Sequence, residues 1–307
     1  MQETRIIIKN GTTISQAANI LLESGVINNK QLFLFKARFG KFKIIRGEYV
    51  FSPGSSMTSV IEKLTKGIVQ TTKLVITPSL HGWSIQKRLE PFMSEDAFWL
   101  MWENPDFATQ AGFPEAPSLE GLIAPATYEL SLADDPEEIM IKMLRAFRTQ
   151  VFPLLEGGVL PPYQTLILAS LAEKETNIPE ELPKVTGVFY NRLKIRMRLQ
   201  CDPTSLYARW LSGDLRFTPP TRDDTNRNHP YNTYTTAGLP PSPIAIPSKA
   251  AIEAAKNPAA TPYLYFVATG NGGHNFSQTL KEHNKYVNSF RNEVNRQRRA
   301  NRRVRGE

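Results

Sequence analysis

The sequence predicts an α+β fold, with a small mixed module at the N-terminus followed by a larger mixed α+β domain. Three observations predict it. Short β-branched runs, such as Thr4 to Lys9 and Thr72 to Ile76, alternate with segments that open on Ser, Thr or Asn and close on Gly, the signals of strands and capped helices. Composition shifts near residue 79, where Trp83, Trp99 and Trp102 fall close together. Finally, 307 residues with 41% apolar and 21% charged side chains can build a core in two domains, which excludes global disorder, collagen and coiled coil.

Each element follows from local signals. Thr4 to Lys9 is a strand by its Ile run, turned by Asn10-Gly11. Thr12 or Thr13 caps a helix through Leu22 that ends at Gly25. A second helix follows Asn28-Asn29, with Leu32, Phe33 and Phe35 as its apolar side. Ile44 to Phe51 is a strand stopped by Pro53-Gly54. Ser55-Ser56 opens a helix to about Lys66, and Thr72 to Ile76 is a strand leading into Pro78. This first part carries no catalytic constellation, so its expected job is binding or positioning. Beyond it, the Trp83–Trp102 stretch reads as helix, as do the acidic start Asp134-Asp135-Pro136-Glu137-Glu138 through Val151 and residues 164–177. Residues 213–248 are rich in Pro, Asn, Thr and Asp and read as loop; a tract that long inside a folded domain is more often a binding surface than a linker. Residues 249–256 are helical, Tyr263 to Ala268 is a strand, and a final helix starts near Gln278.

No apolar run approaches the roughly 18 residues of a membrane span, and Arg5-Ile6-Ile7-Ile8-Lys9 is too brief for a signal peptide. As it stands the chain reads as soluble. The single cysteine, Cys201, excludes an internal disulfide framework and a cysteine-rich zinc site. The net charge of +8 is concentrated in the tail: from Arg291 onward seven arginines face two glutamates, a local +5. That tail, residues 296–307, reads either as a solvated helix end or as a contact for a polyanion. It interleaves no aromatic residue, which argues against a nucleic-acid platform.

The sharpest local feature is Thr165-Leu166-Ile167-Leu168-Ala169-Ser170-Leu171-Ala172-Glu173-Lys174-Glu175-Thr176. At about 100° per residue, Ile167, Leu168, Leu171 and Ala172 share one helical face, and Glu175 sits one turn beyond its last member. Glu173 points nearly the opposite way, toward an expected polar side. A carboxyl at the end of a buried stripe is partly desolvated, which raises its pKa toward the range of a general acid. The bland alternative is a helix end emerging from the core.

Leu168-Ala169-Ser170-Leu171-Ala172-Glu173-Lys174-Glu175-Thr176 resembles the signature helix of the endolytic murein transglycosylase family. So do Val188-Phe189-Tyr190-Asn191-Arg192-Leu193, Met197-Arg198-Leu199-Gln200, Asp202-Pro203-Thr204, Tyr231-Asn232-Thr233-Tyr234 and Gly238-Leu239-Pro240-Pro241. Pro262 to Ala268, Gly272-Gly273-His274-Asn275-Phe276-Ser277 and His283-Asn284 continue the series, in one order across most of residues 1–290. The resemblance implies a LysM-like module over 1–72 and a catalytic domain over 73–295. It implies cleavage of peptidoglycan glycan strands between N-acetylmuramic acid and N-acetylglucosamine, leaving 1,6-anhydro ends, with Glu175 as catalytic acid. It also implies an inner-membrane anchor ahead of Met1, the chain on the periplasmic side, proximity to the peptidoglycan-synthesis machinery, and no cofactor. No nucleic-acid partner is expected. One departure stands out: the family's Pro-Asp-Thr-Tyr is here Pro125-Ala126-Thr127-Tyr128, read as a structural turn.

Other residues carry weaker signals. A two-carboxylate hydrolase needs a partner for Glu175; Asp202 is the first candidate and Glu120 the second. Asp202 also reads as a cap before Pro203, and Glu120 as a surface or backbone-bonding carboxylate. Asn191, Gln200, Tyr231, Asn232 and Tyr234 are neutral donors and stacking groups of the kind that bind sugars. His274 reads as a loop residue able to line a cleft, and Arg192 as a group that either reaches an acidic ligand or, the preferred reading, joins a buried ion pair. The four histidines, His81, His229, His274 and His283, have no metal-ligand spacing. The rival functions are a lysozyme-like hydrolase using Glu175 with Asp202, and a non-catalytic glycan-binding protein of the cell envelope.

Overall fold

A computed structural model describes residues 3–305 with the exception of Phe217 and Asn271. The chain opens with β1 (Thr4–Ile8), α1 (Ile14–Glu23), α2 (Lys30–Gly40), β2 (Gly47–Phe51) and α3 (Met57–Lys66). The helix starts follow their caps: Thr13 and Gln16 form a capping box, Asn29 accepts the Leu32 amide, and Ser56 accepts the Ser59 amide, each satisfying an otherwise orphaned N–H. β1 and β2 pair antiparallel from Thr4↔Phe51 to Ile8↔Gly47. Ile8, Leu21, Phe33, Tyr49 and Leu64 close a core of their own beneath that pair.

β3 (Thr72–Ile76), α4 (Gly82–Leu89), α5 (Glu95–Trp102) and α6 (Pro105–Ala111) come next, and β4 (Ala126–Leu130) pairs antiparallel with β3, Ile76 opposite Ala126. This corrects the turn expected at Ala126. Tyr128 and Leu130 are buried while Thr127 and Glu129 are exposed, the alternation of a strand with one face on a core. α7 (Pro136–Gln150) follows.

The rest of the chain supplies α8 (Pro162–Glu175), α9 (Leu182–Lys194), α10 (Asp202–Leu211), α11 (Arg222–Asn226), α12 (Lys249–Lys256), β5 (Tyr265–Ala268), β6 (His274–Ser277) and α13 (Leu280–Arg305). Among the described residues no helix is long and apolar enough to cross a membrane. The chain forms two compact units. One takes in the described residues to Ile76 with Trp83–Met101 and Ala126–Met143; the other takes in Thr77–Gly82, Trp102–Pro125 and the described residues from Leu144 onward. The first unit therefore includes more chain than the first 72 residues.

In the second unit α8 packs against α9 and α12, and α13 against β5 and β6. α9 lies against the backbone at Ala259 because Gly187 has no side chain: a Cβ there would stand 2.6 Å from the Ala259 carbonyl oxygen. β6 pairs antiparallel with β5, Ala268 opposite His274, so His274 opens a strand rather than sitting in a loop. The Pro-rich tract contains one short helix, α11, among turns.

Candidate active site

α8 is not a half-buried stripe. Every residue from Thr165 to Ala172 is buried, so the expected polar side does not exist and the helix is enclosed all round. Helix geometry ends at Thr176, whose extended backbone turns the chain away while its amide still bonds to the Ala172 carbonyl. Glu175 is thus the last helical residue, half-buried, at the point where the core opens.

It opens into a cavity of about 500 Å³, lined among others by Glu175, Arg192, Asp202, Tyr234, Tyr265 and His274. Burial pushes the Glu175 carboxyl up to about 7; the Cys201 thiol bonded to it works against the shift, the Asp202 charge adds to it, and Arg192 and the Asp202 amide oppose it. Cys201 is fully buried, and burial together with the Glu175 charge raises its own pKa well above the usual thiol range. The thiol therefore keeps its proton as a donor toward Glu175.

The surrounding groups are held from several elements. Asp202 is the first residue of α10, and the Tyr234 hydroxyl donates to its carboxylate. Burial, reinforced by that acceptor, raises the Tyr234 pKa, so the phenol stays neutral. Gln200 adopts the left-handed region at φ 49°, with its amide bonded to the Thr233 carbonyl at 3.1 Å, and lines the same cavity. Arg192 makes no ion pair among the described residues, contrary to the expectation. Its guanidinium donates to the carbonyls of Leu264 and Leu199, both at 2.6 Å, and lies 5.3 Å from the centre of the Tyr265 ring. Its charge is thereby fixed at the cavity wall, facing Glu175 electrostatically. His274 bonds through its amide and its Nδ1 to Glu181, both at 2.7 Å. Burial alone would raise Glu181, but these bonds from His274 hold its pKa below the usual value.

The structure brings Glu175, Gln200, Asp202, Tyr234 and His274 around one cavity and places the other candidates elsewhere. The Asn191 amide is taken up by the carbonyls of Thr261 and Tyr263, at 2.7 and 3.0 Å. Asn232 is fully buried and its amide donates to three carbonyls, those of Asp224, Thr225 and Arg227. The Tyr231 hydroxyl bonds to Ser242 Oγ at 2.6 Å. These three hold loops in shape. Glu120 is not a surface residue: it is 1% exposed and accepts from the Gly82 amide and the Tyr207 hydroxyl, both at 3.0 Å. Burial raises its pKa to about 7 as well, so a raised carboxyl alone does not identify a site.

Sequence reasoning missed Tyr265 and His283 as cavity residues. Their rings stack 5.3 Å apart at 26°, and the buried His283 Nδ1 has no hydrogen-bond partner among the described residues. The signal was faint: both lie in short motifs that carry no chemistry until β5 and α13 fold together. Among the described residues no group of three or more His, Cys, Asp or Glu is arranged to hold a metal ion.

Glu173 faces away from this chemistry. Its carboxylate accepts from Ser79 Oγ and from the Ser248 amide at the start of α12, both at 3.0 Å. Glu173→Gln keeps one acceptor and loses one charge-assisted bond. It should lower stability by about 1–3 kcal/mol and leave turnover of the folded protein within about tenfold, since it removes no proton donor from the cavity. Urea melts alongside activity check this; a stable but inactive variant would assign the chemistry to Glu173.

Comparison with known proteins adds four findings. The YceG-like family matches residues 6–289. The chain is 32% identical over 299 residues to the endolytic murein transglycosylase of Bacillus subtilis (strain 168), covering 91% of this chain and 82% of that protein. It is 27% identical over 293 residues to that of Streptococcus pneumoniae serotype 2 (strain D39 / NCTC 7466), covering 85% of this chain and 53% of that longer protein. The crystal structure of a YceG-like protein from Listeria monocytogenes is similar with a TM-score of 0.61 and 31% identity, covering 92% of this chain and 99% of that one.

Proposed function

The chain belongs to the YceG-like family, and from that premise we propose that it is an endolytic lytic transglycosylase acting on peptidoglycan glycan strands, with Glu175 as acid and then base. The carrying observation is a carboxyl raised to about 7 that faces a cavity able to hold a sugar, beside a fixed cation and a second carboxylate.

In this reading protonated Glu175 gives its proton to the glycosidic oxygen as the bond from the muramyl C1 breaks. The resulting carboxylate takes the proton of the muramyl C6 hydroxyl, whose oxygen bonds to C1. One bond breaks, one forms, no water is consumed, and the acid is regenerated. The attacking hydroxyl is part of the same sugar, so proximity replaces an activated water. Arg192 steadies the carboxylate between the two proton transfers, and Asp202, held by Tyr234, adds to the burial that raises the resting carboxyl. Tyr234 offers a face for a sugar ring.

A second reading, hydrolysis with Asp202 as partner carboxylate, is favoured only by the two carboxyls sharing the cavity. Mass spectrometry of digested peptidoglycan separates them: 1,6-anhydro ends are expected, and free reducing ends would assign the hydrolase. The pH profile is a further check. The reaction starts from protonated Glu175, so kcat/KM should fall as pH rises through about 7; a profile flat from pH 5 to 9 would remove Glu175 as the acid.

Within the same proposal residues 1–72 form a LysM-like module that positions glycan, a reading supported by two helices enclosed between paired strands. Residues 73–295 form the catalytic domain. The chain works at the periplasmic face of the inner membrane, near the peptidoglycan-synthesis machinery.

A further inference from the structure

α2 has two apolar faces, and the fold uses one. Phe33 and Ala37 are buried in the module core. At about 100° per residue the opposite side carries Leu32, Phe35 and Phe39, which are 43%, 58% and 71% exposed. The rings of Phe35 and Phe39 lie 4.3 Å apart, so they form one patch. Arg38 borders this stripe on one flank and Lys36 on the other, and Lys41 and Lys43 follow just beyond the helix end; all four are exposed. From Lys30 to Ile45 the chain holds five cations, Lys30 included, and no acid. None of the five makes an ion pair among the described residues; the nearest following cation, Arg46, is the one paired, with Glu138 at 2.5 Å.

We propose that this face docks on an anionic lipid bilayer, with Phe35 and Phe39 entering the boundary between headgroups and acyl chains and the flanking cations meeting lipid phosphates. Apolar side chains outward, with a cation on each flank and two more just beyond the helix end, are the arrangement an interfacial helix needs. A second copy of the chain is a poor occupant, because it would set four cations against four. A folded protein partner normally covers about 800 Å² on each side, far more than a ridge of three side chains on one 11-residue helix offers. A bilayer requires no matching shape and supplies both the negative charge and the apolar depth.

The test is co-sedimentation of the full chain with vesicles of phosphatidylglycerol in phosphatidylcholine, against pure phosphatidylcholine. The wild-type protein should bind the anionic vesicles and be released by 0.5 M salt, where the Debye length is roughly 4 Å against about 10 Å at 0.1 M. Phe35→Ser with Phe39→Ser, and separately Lys36→Glu with Lys41→Glu and Lys43→Glu, should each weaken binding about tenfold or more. All five positions are exposed, so the variants should fold, which thermal melts confirm. Replacing the arginines at 296, 298, 299, 302, 303 and 305 by Gln should leave the Phe35/Phe39-dependent part of binding in place. No binding to anionic vesicles would overturn the proposal. So would a Phe35/Phe39 variant that binds like the wild type, which would assign binding to the arginine tail. Loss of binding to purified sacculi by that variant, with vesicle binding unchanged, would overturn it in favour of a glycan platform.

Discussion

Glu175→Gln is expected to lower turnover on purified sacculi by at least about 10²–10⁴-fold, the usual contribution of a positioned general acid–base group. Glutamine preserves shape and still accepts from the Cys201 thiol and the Asp202 amide, but carries no transferable proton. The same change should not destabilise the fold. The Glu175 carboxyl holds its proton up to about 7 in the folded protein against an ordinary value of 4.5. Its contribution to stability is therefore full below about 4.5 and is lost as pH rises through 7. Glutamine, which cannot ionise, escapes that loss, so the variant should melt at or above the wild-type temperature, with the difference growing from pH 5 to pH 8. A folded glutamine variant that cleaves at near wild-type rate would sink the assignment.

The second large effect lies away from the acid. Arg209 is fully buried, and its guanidinium bonds to Asp224 Oδ2 at 3.0 Å and to the carbonyls of Arg216 and Thr218. Asp224 in turn accepts from the Thr221 amide and hydroxyl, both at 2.8 Å. Asp224→Ala leaves a buried guanidinium uncompensated, which costs about 3–5 kcal/mol; at roughly 2–4 °C per kcal/mol that lowers the melting temperature by about 6–20 °C. Activity should fall too, because the pair organises the tract that delivers Tyr234. Asn232 bonds to the Asp224 carbonyl and receives the Tyr234 amide at 3.1 Å. Replacing both Arg209 and Asp224 by leucine should recover much of the stability without restoring the loop. Burial alone would raise the Asp224 pKa, but the Thr221 bonds and the Arg209 charge hold it below 3.8. Its stabilisation is thus present above that value and is lost as pH falls through the depressed one. An Asp224→Ala protein as stable as the wild type at pH 7 would show that the pair is not structural.

The α+β character, the capped helices of the first module and the presence of a helix carrying Glu175 were legible because their signals are local. Thr13, Asn29 and Ser56 cap where they stand, and β3 spans the residues its Ile-bounded run predicts. Glu175 was legible for a related reason: the order of short motifs around it is itself a sequence property. Tertiary structure decided what those motifs do. Asn191, Tyr231 and Asn232 have the chemistry to bind sugars, yet their polar atoms meet loop carbonyls and a serine, because a buried donor or acceptor must be satisfied wherever folding places it. Periodicity assigned α8 a polar side that burial on every face removes, since α9 and α12 cover it from directions a helical wheel does not contain. Ala126 became a strand residue only once β3 was beside it. The amino-acid sequence specifies each residue's capacity to bond and to ionise; which partner it meets, and so which way its pKa moves, depends on neighbours far along the chain, as with Glu181 and His274, 93 positions apart.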